Sequence, residues 1–525
     1  MIPQISNGKR RLVPRWRSLQ VALKSGELDS PRTPNQKAAI GVVPKDLKDK
    51  LALWRQAPSI ATAGELVESA LVEGKESEGV AAARFLLSPT STATPALQRL
   101  ANVALGRSGY SIIADAPQLD TADQKRIWRQ RTREYPQNAL AWTELSFLDI
   151  INNQPQSAER SMRVALQLAP ENRHILRSAA RLFLHLDQVD RAYALLARSD
   201  RTRYDPWLIA AEISIADLAG KSSRFVSQGR QFVEGQSLFP RQLTELASAL
   251  ATVELEGGRR KKARDYFQRS LIDPNGNVLA QVEWAAPKFG NELVSQQQVR
   301  SIGDADEAIA IYGMRQKDFP SAIVACRNWS SVEPYSVRPL IIGAIATSMI
   351  EEFDQSLAFT QAGLAIRPKD EALINARAFC LASTGQMKEA STLLAGIERA
   401  DSQQWFVSQA NRGLIEMRSG QVETGVALYR DAAKGFRKLN NAEALVASQL
   451  YMVREASRAG IKNLDKQIIE LGNMIKKYDL TQYNLILETA ARLNAANNLL
   501  TGQVGPLIKA SLDVLNWPGF LPAQK

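Results

Sequence analysis

Residues 136–170 read PQNALAWTELSFLDIINNQPQSAERSMRVALQLAP, and this stretch decides the fold. It describes a pair of helices, the second stopped by Pro170, because a proline cannot continue a helix interior. Trp142, Leu145 and Met162 are the bulky residues that fill the space between the two helices. Ser146 and Ala158 are the small ones that let the helix axes approach closely. A helix pair of this size cannot bury its apolar faces alone, so the next question is whether the pattern recurs.

It does recur, at a spacing of 34 residues. Moving from Ala139 by that interval gives a unit starting at Arg173, with Leu176, Ala179, Ala180, Phe183, Ala192 and Leu196 in the equivalent places. Between 204 and 235 the match weakens. Trp207, Ala210 and Ala211 fit, but no small residue stands clearly in the second helix. The register returns at Thr244 with Leu250, Ala251, Ala263 and Phe267, and Pro274 comes one place early. A second block begins near Gly303, with Ile309, Ala310, Ala322 and Pro334, then Leu340, Gly343, Ala344, Ser356 and Pro368, then Ile374, Ala378, Ala390 and Leu394. Pro334 and Pro368 are 34 apart, as are Pro136 and Pro170. A further unit, with Arg412, Gly413, Tyr429 and Ala432, follows about one residue out of phase.

Over roughly residues 136–440 this pattern resembles the tetratricopeptide repeat. The resemblance implies an all-α fold, a right-handed α-solenoid of antiparallel helix pairs (a TPR-like superhelix) with helical capping regions. Residues 36–135 are expected to form an N-terminal helical region of short helices, carried by Leu47, Leu51 and Trp54, then Leu66, Val67 and Ala70, and punctuated by Pro58, Pro89 and Pro95. Residues 441–525 are expected to form a C-terminal cap, with helices over 442–460, 463–478 and 481–500 and an aromatic tail at Trp517 and Phe520.

The 525-residue chain carries a net charge of +12. Residues 1–55 hold twelve Lys or Arg against Glu27, Asp29, Asp46 and Asp49, so 12 − 4 = +8 of that charge sits at one end. No apolar stretch of roughly 7–15 residues follows the first basic residues, so a secretory signal is not expected. The longest apolar run, residues 339–350, is short of the roughly 20 residues a membrane span needs. Cys326 and Cys380 both fall at positions that the repeat register buries, and two thiols in a chain of this length suit a reducing compartment. A cytoplasmic location with no membrane contact is the expectation.

Catalysis is not expected, and neither is a cofactor. His174 and His185 are eleven apart, not the i, i+4 pair of a helical metal site, so no metal is expected. Gly220-Lys221-Ser222 has the ending of a phosphate loop but lacks its first glycine and follows a helix. No Gly-x-Ser-x-Gly turn and no carboxylate pair can be nominated.

Two stretches carry the functional expectation. The first is KRRLVPRWR at residues 9–17, where Lys9, Arg10, Arg11, Arg15 and Arg17 surround Trp16 without an acid. Residues 1–35 are broken by prolines and glycines, and an exposed basic arm is the plain expectation, with a turn or two of helix from Arg15 onward. Three roles stay open for it: a tail or strap on the solenoid itself, an acidic protein surface, or DNA or RNA, whose phosphates guanidinium groups pair with. The second stretch lies in the groove. The resemblance implies that the first helix of each unit lines the concave face, which would be an apolar strip at Phe147, Ile150 and Ile151 and a basic strip at His174, Arg177, Arg181 and His185. The basic residues are 3, 4 and 4 apart and share one helix face. Either Glu144 or acids of the neighbouring helices neutralise them, the commoner use of such charges, or they attract a carboxylate-rich peptide or a phosphate, more strongly in mild acid. The overall expectation is a non-catalytic scaffold or adaptor that holds a protein or peptide partner along its concave face. The alternative is an accessory subunit of a nucleic-acid-associated complex, with residues 1–35 on the nucleic acid.

Overall fold

The computed structural model describes residues 10–18 and 45–499, apart from 73–74, 89–90, 92, 94, 106–120, 236–237 and 291. Among the described residues there is no strand. They divide into two compact units, one of Arg10–Ile309 with Val332–Pro334, the other of Ala310–Ser331 with residues from Tyr335 onward.

The unit that begins at Arg10 holds helices α1 (Lys45–Gln56), α2 (Ile60–Val72), α3 (Glu76–Leu86), α4 (Pro95–Ala104), α5 (Thr121–Glu134), α6 (Ala139–Ile151), α7 (Pro155–Leu168), α8 (Arg173–His185), α9 (Val189–Arg198), α10 (Pro206–Leu218), α11 (Val226–Glu234), α12 (Pro240–Glu256), α13 (Arg260–Ser270), α14 (Gly276–Phe289) and α15 (Gln296–Arg300), and the first turn of α16 (Asp306–Gln316). Asn138, Asn172, Asp205 and Asn275 start their helices by accepting a backbone N–H with the side chain, which satisfies one of the donors a helix start leaves unpaired. Between paired helices the chain turns through the left-handed region at Asn153 and Asp187, again 34 apart. Each first helix packs on its own partner and on the first helix of the next pair, so α6, α8, α10, α12 and α14 adjoin in series and form one face. The helices α1 to α4 close over their own core of Leu47, Leu66, Val67, Ala82 and Leu86.

The close crossing expected in the first pair is present. Ser146 Oγ donates to the Ala158 carbonyl at 2.8 Å, and both residues are fully buried. The pair α10/α11 is regular as well. Its close-approach residue is Gly229, where a Cβ would come 3.0 Å from Leu246 and 3.4 Å from Ile209. A connection of seven residues, 219–225, separates the two helices and shifts that residue out of the expected register.

The second unit continues the theme through α17 (Phe319–Val332), α18 (Arg338–Met349), α19 (Phe353–Ile366), α20 (Glu371–Ser383), α21 (Met387–Ala395), α22 (Gln403–Arg418) and α23 (Val422–Lys438). It ends in α24 (Ala442–Arg458), α25 (Asp465–Lys477) and α26 (Asn484–Leu499). Its turns repeat the 34-residue spacing at Lys317, Glu351 and Gly385, all with positive φ. Gly413 marks the out-of-phase unit, since a Cβ there would meet the Tyr429 ring at 2.7 Å. Cys326 and Cys380 are buried free thiols, and burial pushes the Cys380 thiol up despite its hydrogen bonds with Ser348 and Ser356. The aromatic tail at Trp517 and Phe520 lies outside the described residues.

Ala158 and Ala390 are both fully buried. Ala158→Leu or Ala390→Leu therefore overpacks its helix pair, and each is expected to cost about 1–3 kcal/mol in chemical unfolding. Unchanged stability at both sites would contradict the packing described.

Candidate peptide groove and its resident strap

Residues 10–18 carry no helix. They form a strap laid across the face made by the first helices of the unit that begins at Arg10. Trp16 is fully buried, its ring meeting Phe147 of α6 edge to face with centroids 5.3 Å apart. Leu12 is buried too. The expected exposed arm is thus replaced, over residues 10–17, by a buried one, and the intramolecular strap is the arrangement present. Lys9 lies outside the described residues.

Four guanidinium groups anchor the strap. Arg10 grips Glu307 through two parallel bonds of 3.0 Å, from Nε and Nη2, and also donates to Asn277 and Gln281. Such fork geometry is the strong form of a charged hydrogen bond. Arg11 pairs with Asp217 of α10 and, at 2.7 Å, with Glu256 of α12. Arg15 donates to Glu307 at 3.1 Å and to the Asp304 carbonyl, and its Nε lies 3.6 Å from Glu333. Arg17 donates to Asp304 at 3.0 Å and lies 3.8 Å from Glu333. Glu307 and Glu333 are only 2% and 4% exposed, so these charges are compensated in a dry site, where leaving either partner alone is costly.

The strap's backbone is held as well. Gln281 Nε2 donates to the Arg10 carbonyl and Asn277 Nδ2 to the Val13 carbonyl, each at 3.1 Å. These two residues stand four apart on α14, one turn along a single face. They are themselves positioned from α12, the preceding first helix, since Gln281 also donates to Thr252 and Asn277 to Glu245. Side-chain amides that read carbonyls hold an extended segment whatever its side chains are; the carboxylates select arginine.

The basic strip on α8 is met, at Arg177, by an acid of a neighbouring helix. Arg177 is 8% exposed and donates to Glu245 at 2.8 Å and to the Trp207 carbonyl. It thereby orients Glu245, which in turn accepts from Asn277. An acid from a neighbouring helix neutralises this part of the stripe, so Arg177→Glu would disturb a buried pair and could not leave the melting temperature unchanged. Arg181 and His185 are half-buried on the same helix. Phe147 and Ile150 are buried and Ile151 is half-buried, and Phe147 supports Trp16.

His174 does not answer to mild acid as the sequence suggests. Its Nε2 is buried without a hydrogen-bond partner. Burial first, and the Arg177 charge second, lower its pKa from 6.5 to about 4. The folded value lies below the unfolded one, so unfolded chains bind the proton first and stability falls as pH drops from about 6.5 to about 4. The unfolding free energy from urea titrations over that window should decline for the wild type by about 1.4 kcal/mol per pH unit at most from this group. The decline should flatten in His174→Gln; an identical pH profile in that variant would contradict the assignment.

The carboxylates Asp217, Glu256, Asp304, Glu307 and Glu333 went unread in the sequence. Among the described residues no group of three or more His, Cys, Asp or Glu could hold a metal ion. Nor is any described helix long and apolar enough to cross a membrane.

The helix pairs and the face built by their first helices make this an all-α helical-repeat fold with tetratricopeptide-like pairs. No protein-family model and no curated protein matches the chain. Among solved structures it is similar to the human IFIT1 dimer with m7Gppp-AAAA, at 14% identity over 73% of this chain and 95% of that one, TM-score 0.37. It is also similar to a tetratricopeptide repeat protein from Parabacteroides merdae, at 16% identity over 62% and 99%, TM-score 0.26. Yeast Tom70 is similar at 11% identity over 86% and 99%, TM-score 0.30. These are likenesses between helical-repeat chains and do not bear on what the groove holds.

Proposed function

We propose that the protein is a non-catalytic scaffold that holds an extended protein segment along the face formed by α6, α8, α10, α12 and α14. The observation that carries this is the pair of amide grips, Asn277 and Gln281, on the carbonyls of Val13 and Arg10. Main-chain bonds supply affinity for any extended segment, and flanking side-chain seats supply the choice among segments. Cross-linking of the full chain in its native cell, with the cross-linked partner peptides mapped by mass spectrometry, tests the proposal. Partner cross-links should fall on this face or its rim. Cross-links confined to other surfaces would overturn it.

The nucleic-acid alternative places residues 10–17 on phosphates. The docked strap has Arg10, Arg11, Arg15 and Arg17 already paired with carboxylates. The full chain is therefore expected to bind single-stranded RNA or DNA weakly even at low salt. Strong binding with a steep salt dependence, lost on replacing those four arginines, would favour the alternative.

A further inference from the structure

We propose that the groove is a docking seat for an arginine-rich, tryptophan-anchored segment of a protein partner, and that residues 10–17 are its resident competitor, which a partner displaces by exchange. The inference rests on the scaffold reading and names the class of ligand for the same face.

Complementarity is the first support. Arg10, Arg11, Arg15 and Arg17 face Asp217, Glu256, Asp304, Glu307 and Glu333. Five carboxylates against four guanidinium groups leave these named groups at 4 − 5 = −1 with the strap in place. Without it, these acids would lose the four guanidinium partners that the strap supplies. The vacant groove would thus gather like charges that a basic segment relieves. One basic segment replacing another is the cheap route, and an acidic or phosphorylated ligand is selected against by the same charges.

The second support is that every grip on the strap is noncovalent and repeats in kind. Glu307 takes both Arg10 and Arg15, Asp304 takes both Arg15 and Arg17, and Asn277 and Gln281 take carbonyls. The indole of Trp16 fills an apolar seat beside Phe147. A segment with arginines flanking a tryptophan at the spacing of RRLVPRWR satisfies each of these from another chain equally well. The strap is covalently part of the same chain, so it competes for the groove intramolecularly. A competing segment on a separate chain must overcome that advantage, and removing the tether should reveal the intrinsic affinity.

The test uses the full chain with a specific protease site introduced between residues 19 and 44, and a fluorescein-labelled synthetic peptide carrying residues 9–18. Cleavage should leave the helical circular dichroism signal intact and allow the labelled peptide to enter and expel the native strap. Apparent affinity should be at least roughly 100-fold higher than for the uncut chain, the low end of the roughly 10²–10⁴-fold advantage that covalent linkage confers. A scrambled peptide of the same composition should bind at least tenfold more weakly, and cleaved protein carrying Glu307→Lys should not take up the peptide. The proposal is overturned if the cleaved protein takes up no peptide at about 1 mM, a concentration on the order of those that intramolecular linkage reaches. Equal binding of the scrambled peptide overturns it, as does loss of helical signal on cleavage, which would make the strap a permanent staple. A permanent staple would leave the scaffold reading standing, because partner cross-links are read independently.

Discussion

Glu307→Lys should expel the strap. Glu307 is 2% exposed and accepts from Arg10 Nε and Nη2 and from Arg15 Nη2. The substitution removes both arginine partners and sets a third cation beside them. Removing one partner of a buried ion pair costs about 3–5 kcal/mol. At about 1.4 kcal/mol per factor of ten, the ratio of docked to released strap falls by about 10²–10³-fold or more. Hydrogen–deuterium exchange of the peptide spanning residues 10–17 should approach the intrinsic rate, while α7 and α9 keep their protection. Slow exchange in the variant, matching wild type, would show that the arginines are not held by Glu307.

The second large effect lies in the other unit, where Glu455 is 2% exposed on α24. It accepts from Arg418 at 2.8 and 3.2 Å and from Arg454 Nε at 2.8 Å, with Arg458 at 3.5 Å. Burial alone would raise its pKa; the Arg454 and Arg418 guanidinium groups outweigh burial and hold the carboxyl below its ordinary value. Glu455→Ala would leave Arg454, which is 2% exposed, without its nearest counter-ion. The expected cost is about 3–5 kcal/mol in the unfolding of this unit. The pH dependence follows the same sign. A carboxyl depressed in the folded state stabilises fully above the usual carboxylate range, and that stability is lost as pH falls through the folded value. Acid unfolding of the wild type should therefore be steeper than that of Glu455→Ala. A loss under 1 kcal/mol, below the range for buried pairs, would contradict the network.

The helix pairs were legible because their signals are local. Pro170 reports a backbone that cannot continue, and Ser146 with Ala158 reports two axes in close approach. Where the local signal moved, as Gly229 did behind a seven-residue connection, the pair was underread. The 34-residue recurrence of left-handed turns stayed hidden in part because Lys317 and Glu351 are not residues that advertise such a conformation. The direction of the α8 stripe was readable from its spacing, but the acid that meets Arg177 stands 68 residues away.

The strap was visible in composition and invisible in role. Five cations around a tryptophan look the same whether they wait for phosphate, a partner's acids or their own groove. What decides among these is Glu307, 297 residues from Arg10, and no local pattern reports a contact at that separation. Asn277 and Gln281 gave a faint signal as two amides one turn apart on a groove-lining helix, yet amides in such places serve structural roles as often as binding ones.

Native-state trypsin digestion of the full chain tests the seated strap most directly. Arg10, Arg11, Arg15 and Arg17 are 7%, 6%, 7% and 2% exposed, so the bonds after them should stay intact while the protein is folded and be cut in Glu307→Lys or in urea. Rapid cleavage after Arg11, Arg15 or Arg17 in the folded wild type would contradict the buried strap, and with it the groove described here.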